Sequence, residues 1–74
     1  MTEEKMMVLK LWDQMKMMEF QLYAMEYWLA SGRVSEYAIR VQDYLDGEDD
    51  SLSVDDVVEF YNAANEVYRE AIGV

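Results

Sequence analysis

The chain has 74 residues, enough for a single all-helical domain spanning 1–74, and a domain of that size usually needs disulfides, a metal or a partner to supplement its small core. It contains neither Cys nor His, which excludes disulfides and removes the residues that supply nearly all structural zinc ligands, so a partner is the remaining supplement. Sixteen acidic and six basic residues give a net charge of −10, which opposes direct contact with nucleic acid or an anionic membrane and favours a basic protein surface.

Residues 1–34 carry four basic and five acidic groups, a net charge of −1, whereas residues 35–74 carry two basic and eleven acidic groups, a net charge of −9. Hydrophobic residues make up 53% of the chain, too many for a disordered acidic tail.

Thr2 is a suitable N-cap for a first helix, and Glu3 and Glu4 suit its positive end. That helix is expected over 3–31, a length of about 40 Å, closed by Gly32 in the left-handed conformation. Its apolar residues fall into two stripes. One is a heptad seam of Val8, Leu11, Met15, Met18, Leu22, Met25 and Leu29. The other lies nearly half a turn away and reads Leu9, Trp12, Phe20, Tyr23 and Tyr27, with Lys16 as its interruption. Trp28, Met6, Met17 and Ala24 partly fill the space between.

Two short helices can cover one stripe along such a rod but hardly both, so the other predicts a second chain. The expected apolar face for self-association or a partner comprises Val8, Leu11, Met15, Met18, Leu22, Met25, Leu29, Tyr23, Tyr27 and Trp28. Methionine adapts to imperfect fit, and Tyr and Trp are typical interface anchors. The competing reading makes helix one the central, fully covered member of a three-helix bundle.

A second helix is expected over 36–46, capped by Ser35, with Val34 and Ile39 as a hydrophobic staple and Gly47 as its end. Val34, Ala38, Val41 and Leu45 recur along it at helical spacing. The third helix is expected over 54–72. Ser53 and Asp56 form a variant capping box, and Leu52 can staple to Val57. Val54, Val57, Val58, Tyr61, Ala64, Val67, Tyr68 and Ala71 share one face of it, and Asp55, Glu59, Glu66 and Glu70 share the opposite one. The fold class is therefore all-α, a three-helix domain with one long N-terminal helix, assembled as a dimeric helical bundle.

Catalysis at neutral pH most often recruits His or Cys, and both are absent. The loop "DGEDDS" has the composition of a calcium loop but the wrong register: with Gly47 at the invariant turn position, Gln42, Tyr44 and Ser53 would occupy ligand positions. No enzyme activity, metal or cofactor is expected. Charges interrupt the most apolar region and the N-terminus lacks the marks of a signal peptide, so the expected compartment is the cytoplasm. Basic residues are scattered, with no stripe to neutralise phosphates.

The charge distribution resembles what nucleic-acid-binding proteins bind. A candidate acidic face collects Asp43, Asp46, Glu48, Asp49, Asp50, Asp55, Glu59, Glu66 and Glu70, diluted by Asn62 and Arg69. Within Leu52–Ala71, the positions Leu52, Ser53, Phe60, Tyr61, Ala63, Ala64 and Glu70 resemble a segment of the Hha/YmoA family. That resemblance implies a helical regulatory subunit that binds a histone-like nucleoid protein. In size, acidity and lack of catalytic residues the chain also looks like small phage-encoded host-takeover inhibitors, including anti-CRISPR proteins and other DNA mimics, which act in the host cytoplasm. The expectation is an acidic binding protein that engages and inhibits a basic nucleic-acid-handling protein, homodimeric through helix one. The alternatives are an Hha/YmoA-like subunit and an interaction module that uses the apolar first helix.

Overall fold

The computed structural model describes residues 2–48 and 51–73, and within them the chain forms three helices: α1 (Glu3–Ala24), α2 (Trp28–Asp46) and α3 (Val54–Ile72). Each packs against both others in a body 35 Å long and 19 by 17 Å across. At about 1.5 Å per residue, the 22 residues of α1 run about 33 Å and span that length.

α1 starts as the sequence leads one to expect. The backbone N–H of Lys5 donates to Thr2 Oγ1 at 3.2 Å, and Glu3 and Glu4 fill the first turn. Its end does not follow the expectation. The helix expected over 3–31 stops at Ala24, because the chain reverses through a Schellman closure with glutamate in the place usually taken by glycine. Glu26 adopts φ 66° and donates its N–H to the Tyr23 carbonyl, while the Tyr27 N–H donates to the Leu22 carbonyl. A non-glycine residue in this conformation carries a cost of roughly 1–2 kcal/mol, which the packing of α2 back along α1 must offset.

α2 therefore begins at Trp28, well before the expected 36–46, and two sequence assignments change with it. Gly32 is not a helix end but the fifth residue of α2, outside the positive-φ region. Ser35 caps nothing, because it sits mid-helix. Val34 is fully buried in the core, and Ile39, its expected staple partner, is exposed. No side chain caps α2. Its first turn is tied instead by the buried Ser31, whose hydroxyl donates to the Glu19 carbonyl at 3.2 Å. Gly47 closes the helix at φ 72°, donating to the Asp43 and Tyr44 carbonyls.

α3 coincides with the expected span 54–72. Asp56 N–H donates to Ser53 Oγ, and the Ser53 N–H donates back to Asp56 Oδ2 at 2.9 Å, satisfying two N–H groups that a helix start leaves without partners. Gly73 closes it at φ 77°.

The core takes one stripe from each helix. Val8, Met15, Met18 and Leu22 of α1 meet Val34, Ala38 and Val41 of α2 and Val57, Ala64 and Val67 of α3. Full burial of such side chains is worth about 1.5–3 kcal/mol each. Tyr37 stacks on Phe60 with ring centroids 6.3 Å apart, and the Arg40 guanidinium lies 5.1 Å above the Phe60 ring, joining α2 to α3. α1 and α3 are joined by two tyrosines. Tyr61 donates to Gln14 Oε1 at 2.6 Å, and one heptad further along both helices Tyr68 donates to Gln21 Oε1. Both helices advance seven residues between the two bonds, so α1 and α3 run parallel and α2 runs against them.

Candidate functional site

With α1 shortened, its two stripes have different fates. Of the heptad seam, Val8, Met15, Met18 and Leu22 are buried within this chain and Leu11 is half-buried, so this part of the expected partner face is the domain's own core. Met25 and Leu29 leave the seam altogether. Met25 lies in the turn, and Leu29, in the first turn of α2, is 89% exposed. Of the opposite stripe, Leu9, Phe20, Tyr23 and Tyr27 are exposed, with Phe20 at 73% and Tyr23 at 66%, and Trp12 is half-buried; Met6 and Met17 beside it are exposed as well. Lys16, which interrupts this stripe, donates to Glu19 Oε2 at 2.8 Å and sits 6.0 Å from the Trp12 ring centroid.

Tyr27, Trp28 and Leu29 form a separate exposed apolar patch at the α1–α2 turn, where they line a shallow depression with Ala30 and Ala71. A single continuous helix over 3–31 would have joined this patch to the stripe on α1. The reversal at Glu26 separates them instead.

On α3, Asp55, Glu59, Glu66 and Glu70 are all exposed on the outer side, away from Val57, Ala64 and Val67. They extend over about 22 Å of helix axis. Asn62 falls on the same side, and Asn62, Asn65, Glu66, Arg69 and Glu70 border an open, mostly polar depression. Asp56 belongs to the capping box, where its Oδ2 accepts from the Ser53 N–H and hydroxyl.

Because α2 and α3 run in opposite directions, Asp46 and Glu48 lie at the end of the bundle where α3 begins, and Glu66 and Glu70 lie towards the other end. Asp46 and Glu48 are exposed and Asp43 is half-buried, with Asp46 Oδ1 accepting from Gln42 Nε2 at 2.9 Å. Asp49 and Asp50 lie outside the described residues. Among the described residues the one ion pair is Lys16 with Glu19, and the acids of α2 and α3 make none.

Asp43 and Asp46 occupy the last turn of α2, which holds no basic residue. A carboxylate at the negative end of a helix dipole is unfavourable by about 0.3–1 kcal/mol. The bond from Gln42, four residues back, offsets part of that cost at Asp46, whereas no hydrogen bond or ion pair offsets it at Asp43 among the described residues.

Among the described residues no three carboxylates gather closely enough to hold a metal ion, and no helix is long and apolar enough to cross a membrane. The class defined by the structure is an up-down-up three-helix bundle with one acidic and one apolar outer side. No family model matches the chain, and neither the curated proteins nor the solved structures yield a match. The residues that carry the Hha/YmoA resemblance have local work in the fold: Ser53 caps α3, Ala64 is buried, and Phe60 and Tyr61 pack against the core.

Proposed function

We propose that this chain is a non-enzymatic binding protein that engages, and thereby inhibits, a basic nucleic-acid-handling protein, as small phage-encoded inhibitors, anti-CRISPR proteins and DNA mimics do. The observation that carries the reading is the unpaired acidic strip. Asp55, Glu59, Glu66 and Glu70 are exposed along one side of α3, and Asp43 and Asp46 stand in the last turn of α2, where a carboxylate opposes the helix dipole. Residues held where they oppose stability are explained by a surface that needs their charge. On this reading the protein acts as a homodimer, with α1 as the contact between copies and α3 facing the target.

The test is affinity capture from a bacterial lysate with the wild-type chain and with a variant carrying Asp55→Asn, Glu59→Gln, Glu66→Gln and Glu70→Gln. The expected result is recovery of basic proteins that duplex DNA displaces, weakened at high salt by screening and lost in the variant. Recovery of the same proteins by both chains, insensitive to salt and DNA, would reject the acidic strip as the binding surface.

A second reading is supported by the exposed Tyr27, Trp28 and Leu29. Here the chain is an interaction module recognised through its apolar side, as an Hha/YmoA-like regulatory subunit or a structural component, and the acids serve solubility. Capture abolished by Tyr27→Ala or Trp28→Ala but indifferent to the four α3 substitutions would favour it.

A further inference from the structure

On the side of α1 turned away from the core, Met6, Leu9, Asp13, Lys16, Phe20 and Tyr23 recur at alternating spacings of three and four, and all six are exposed. That spacing forms a seam for a second helix. Two apolar residues precede the charged pair and two follow it, so the seam is nearly the same read in either direction. Laid against its own reverse, it sets Met6 opposite Tyr23, Leu9 opposite Phe20, and Asp13 opposite Lys16.

We propose that α1 pairs with α1 of a second copy in antiparallel orientation, about a twofold axis at the level of Gln14 and Met15, with Asp13 and Lys16 making two reciprocal ion pairs at the centre. This rests on the reading of α1 as the contact between copies and adds its orientation and register. Charge decides the orientation. A parallel pair would set Asp13 against Asp13 and Lys16 against Lys16, whereas the antiparallel pair sets acid against base at both positions. It also sets Lys10 of each copy at the level of Glu19 of the other. The Lys16 ammonium, already bonded to Glu19, has three donors and can hold Asp13 of the second copy as well.

The seam is about 26 Å long. Met6, Leu9, Phe20 and Tyr23, with Met17 beside them, offer on the order of 500 Å² per copy, which places the pair at the low end of specific interfaces. A dimer with a dissociation constant in the micromolar range is the expected consequence. Pairing through α1 leaves the outer side of α3 uncovered, so each dimer carries two acidic strips.

The orientation is tested by thiol crosslinking, which has no background because the chain contains no cysteine. Leu9→Cys and Phe20→Cys chains are mixed and treated with a short bismaleimide. Sedimentation of the wild type, Asp13→Lys, Lys16→Asp and the doubly exchanged chain over roughly 5–500 µM gives the affinities. The expected result is a Leu9→Cys to Phe20→Cys crosslink in preference to either like pair. Dimerisation should weaken at least about tenfold in each single charge variant and return in the double exchange. Preferential crosslinking of like with like, or single charge variants that dimerise as the wild type does, would overturn the antiparallel register while leaving a dimer through α1 standing. A wild-type chain that stays monomeric throughout would overturn both, and assign the stripe to a different protein.

Discussion

Replacing Gly32 with alanine tests where the first helix ends, because the sign of the effect differs between the two possible boundaries. In the structure Gly32 is the fifth residue of α2, its backbone lies outside the positive-φ region, and a Cβ added to it meets no atom within 4 Å. Glycine inside a helix is disfavoured relative to alanine by about 0.8–1.0 kcal/mol, largely through the freedom it keeps in the unfolded chain. Gly32→Ala should therefore stabilise the protein by about 0.5–1 kcal/mol, and for a domain of this length each kcal/mol raises Tm by about 4–8 °C. Urea titration followed by far-ultraviolet circular dichroism, at one fixed protein concentration, should show a higher midpoint with an unchanged slope. If instead a single helix ran to Ser31 and Gly32 closed it in the left-handed region, the same substitution would cost about 1–2 kcal/mol. A lowered midpoint would refute the reversal at Met25–Tyr27 and restore the longer helix.

Three further substitutions probe the same fold. Glu26→Gly relieves a side chain held at φ 66° and removes an acid from the negative end of α1, so it should stabilise by about 1 kcal/mol in the same titration; a loss of stability would count against the Schellman closure. Leu22→Ala truncates a side chain with no exposure at the meeting point of the three helices and should destabilise by about 2–5 kcal/mol. A cost below about 1 kcal/mol would mean that the heptad seam of α1 is not the core. Ser53→Ala removes the capping hydroxyl of α3 and should cost about 1 kcal/mol, with faster amide hydrogen exchange confined to the first turn of that helix.

The elements that could be read directly were those whose ends carry chemistry of their own. Ser53 and Asp56 announce the start of α3, and Gly47 and Gly73 announce the ends of α2 and α3, because capping and the left-handed closure need those residue types. The division of α1 into a buried seam and an outer stripe followed from periodicity over 8–23, where the structure buries Val8, Met15, Met18 and Leu22 and exposes Phe20 and Tyr23. The turn between α1 and α2 could not be read. It places Glu26 where glycine or asparagine is usual, and α2 starts on Tyr27 without a side-chain cap. Met25 and Leu29 happen to continue the heptad spacing across it, so the pattern looks helical where the chain reverses. Gly32 then offered itself as an end.

The outer stripe shows the same limit. Lys16 looked like a defect in an apolar row until its neighbour in the seam, Asp13, was seen to be exposed on the same side. The acidic strip was legible in composition. That its members at the end of α2 stand against the helix dipole required the helix boundaries.

The pair of bonds from Tyr61 to Gln14 and from Tyr68 to Gln21 acts on α3 as two pins act on a ruler. Sliding α3 along α1 by a single turn would break both, and a slide of a full heptad would re-form one and strand the other. The small shear that packed helices use to adapt to a ligand therefore costs α3 about 0.5–1.5 kcal/mol for each bond given up. The backbone positions that carry its outer carboxylates are held in register with α1, so a target of the kind proposed would meet their spacing with little adjustment of the fold. On that proposal the ordering left to binding would fall on the side chains of α3 and not on its backbone.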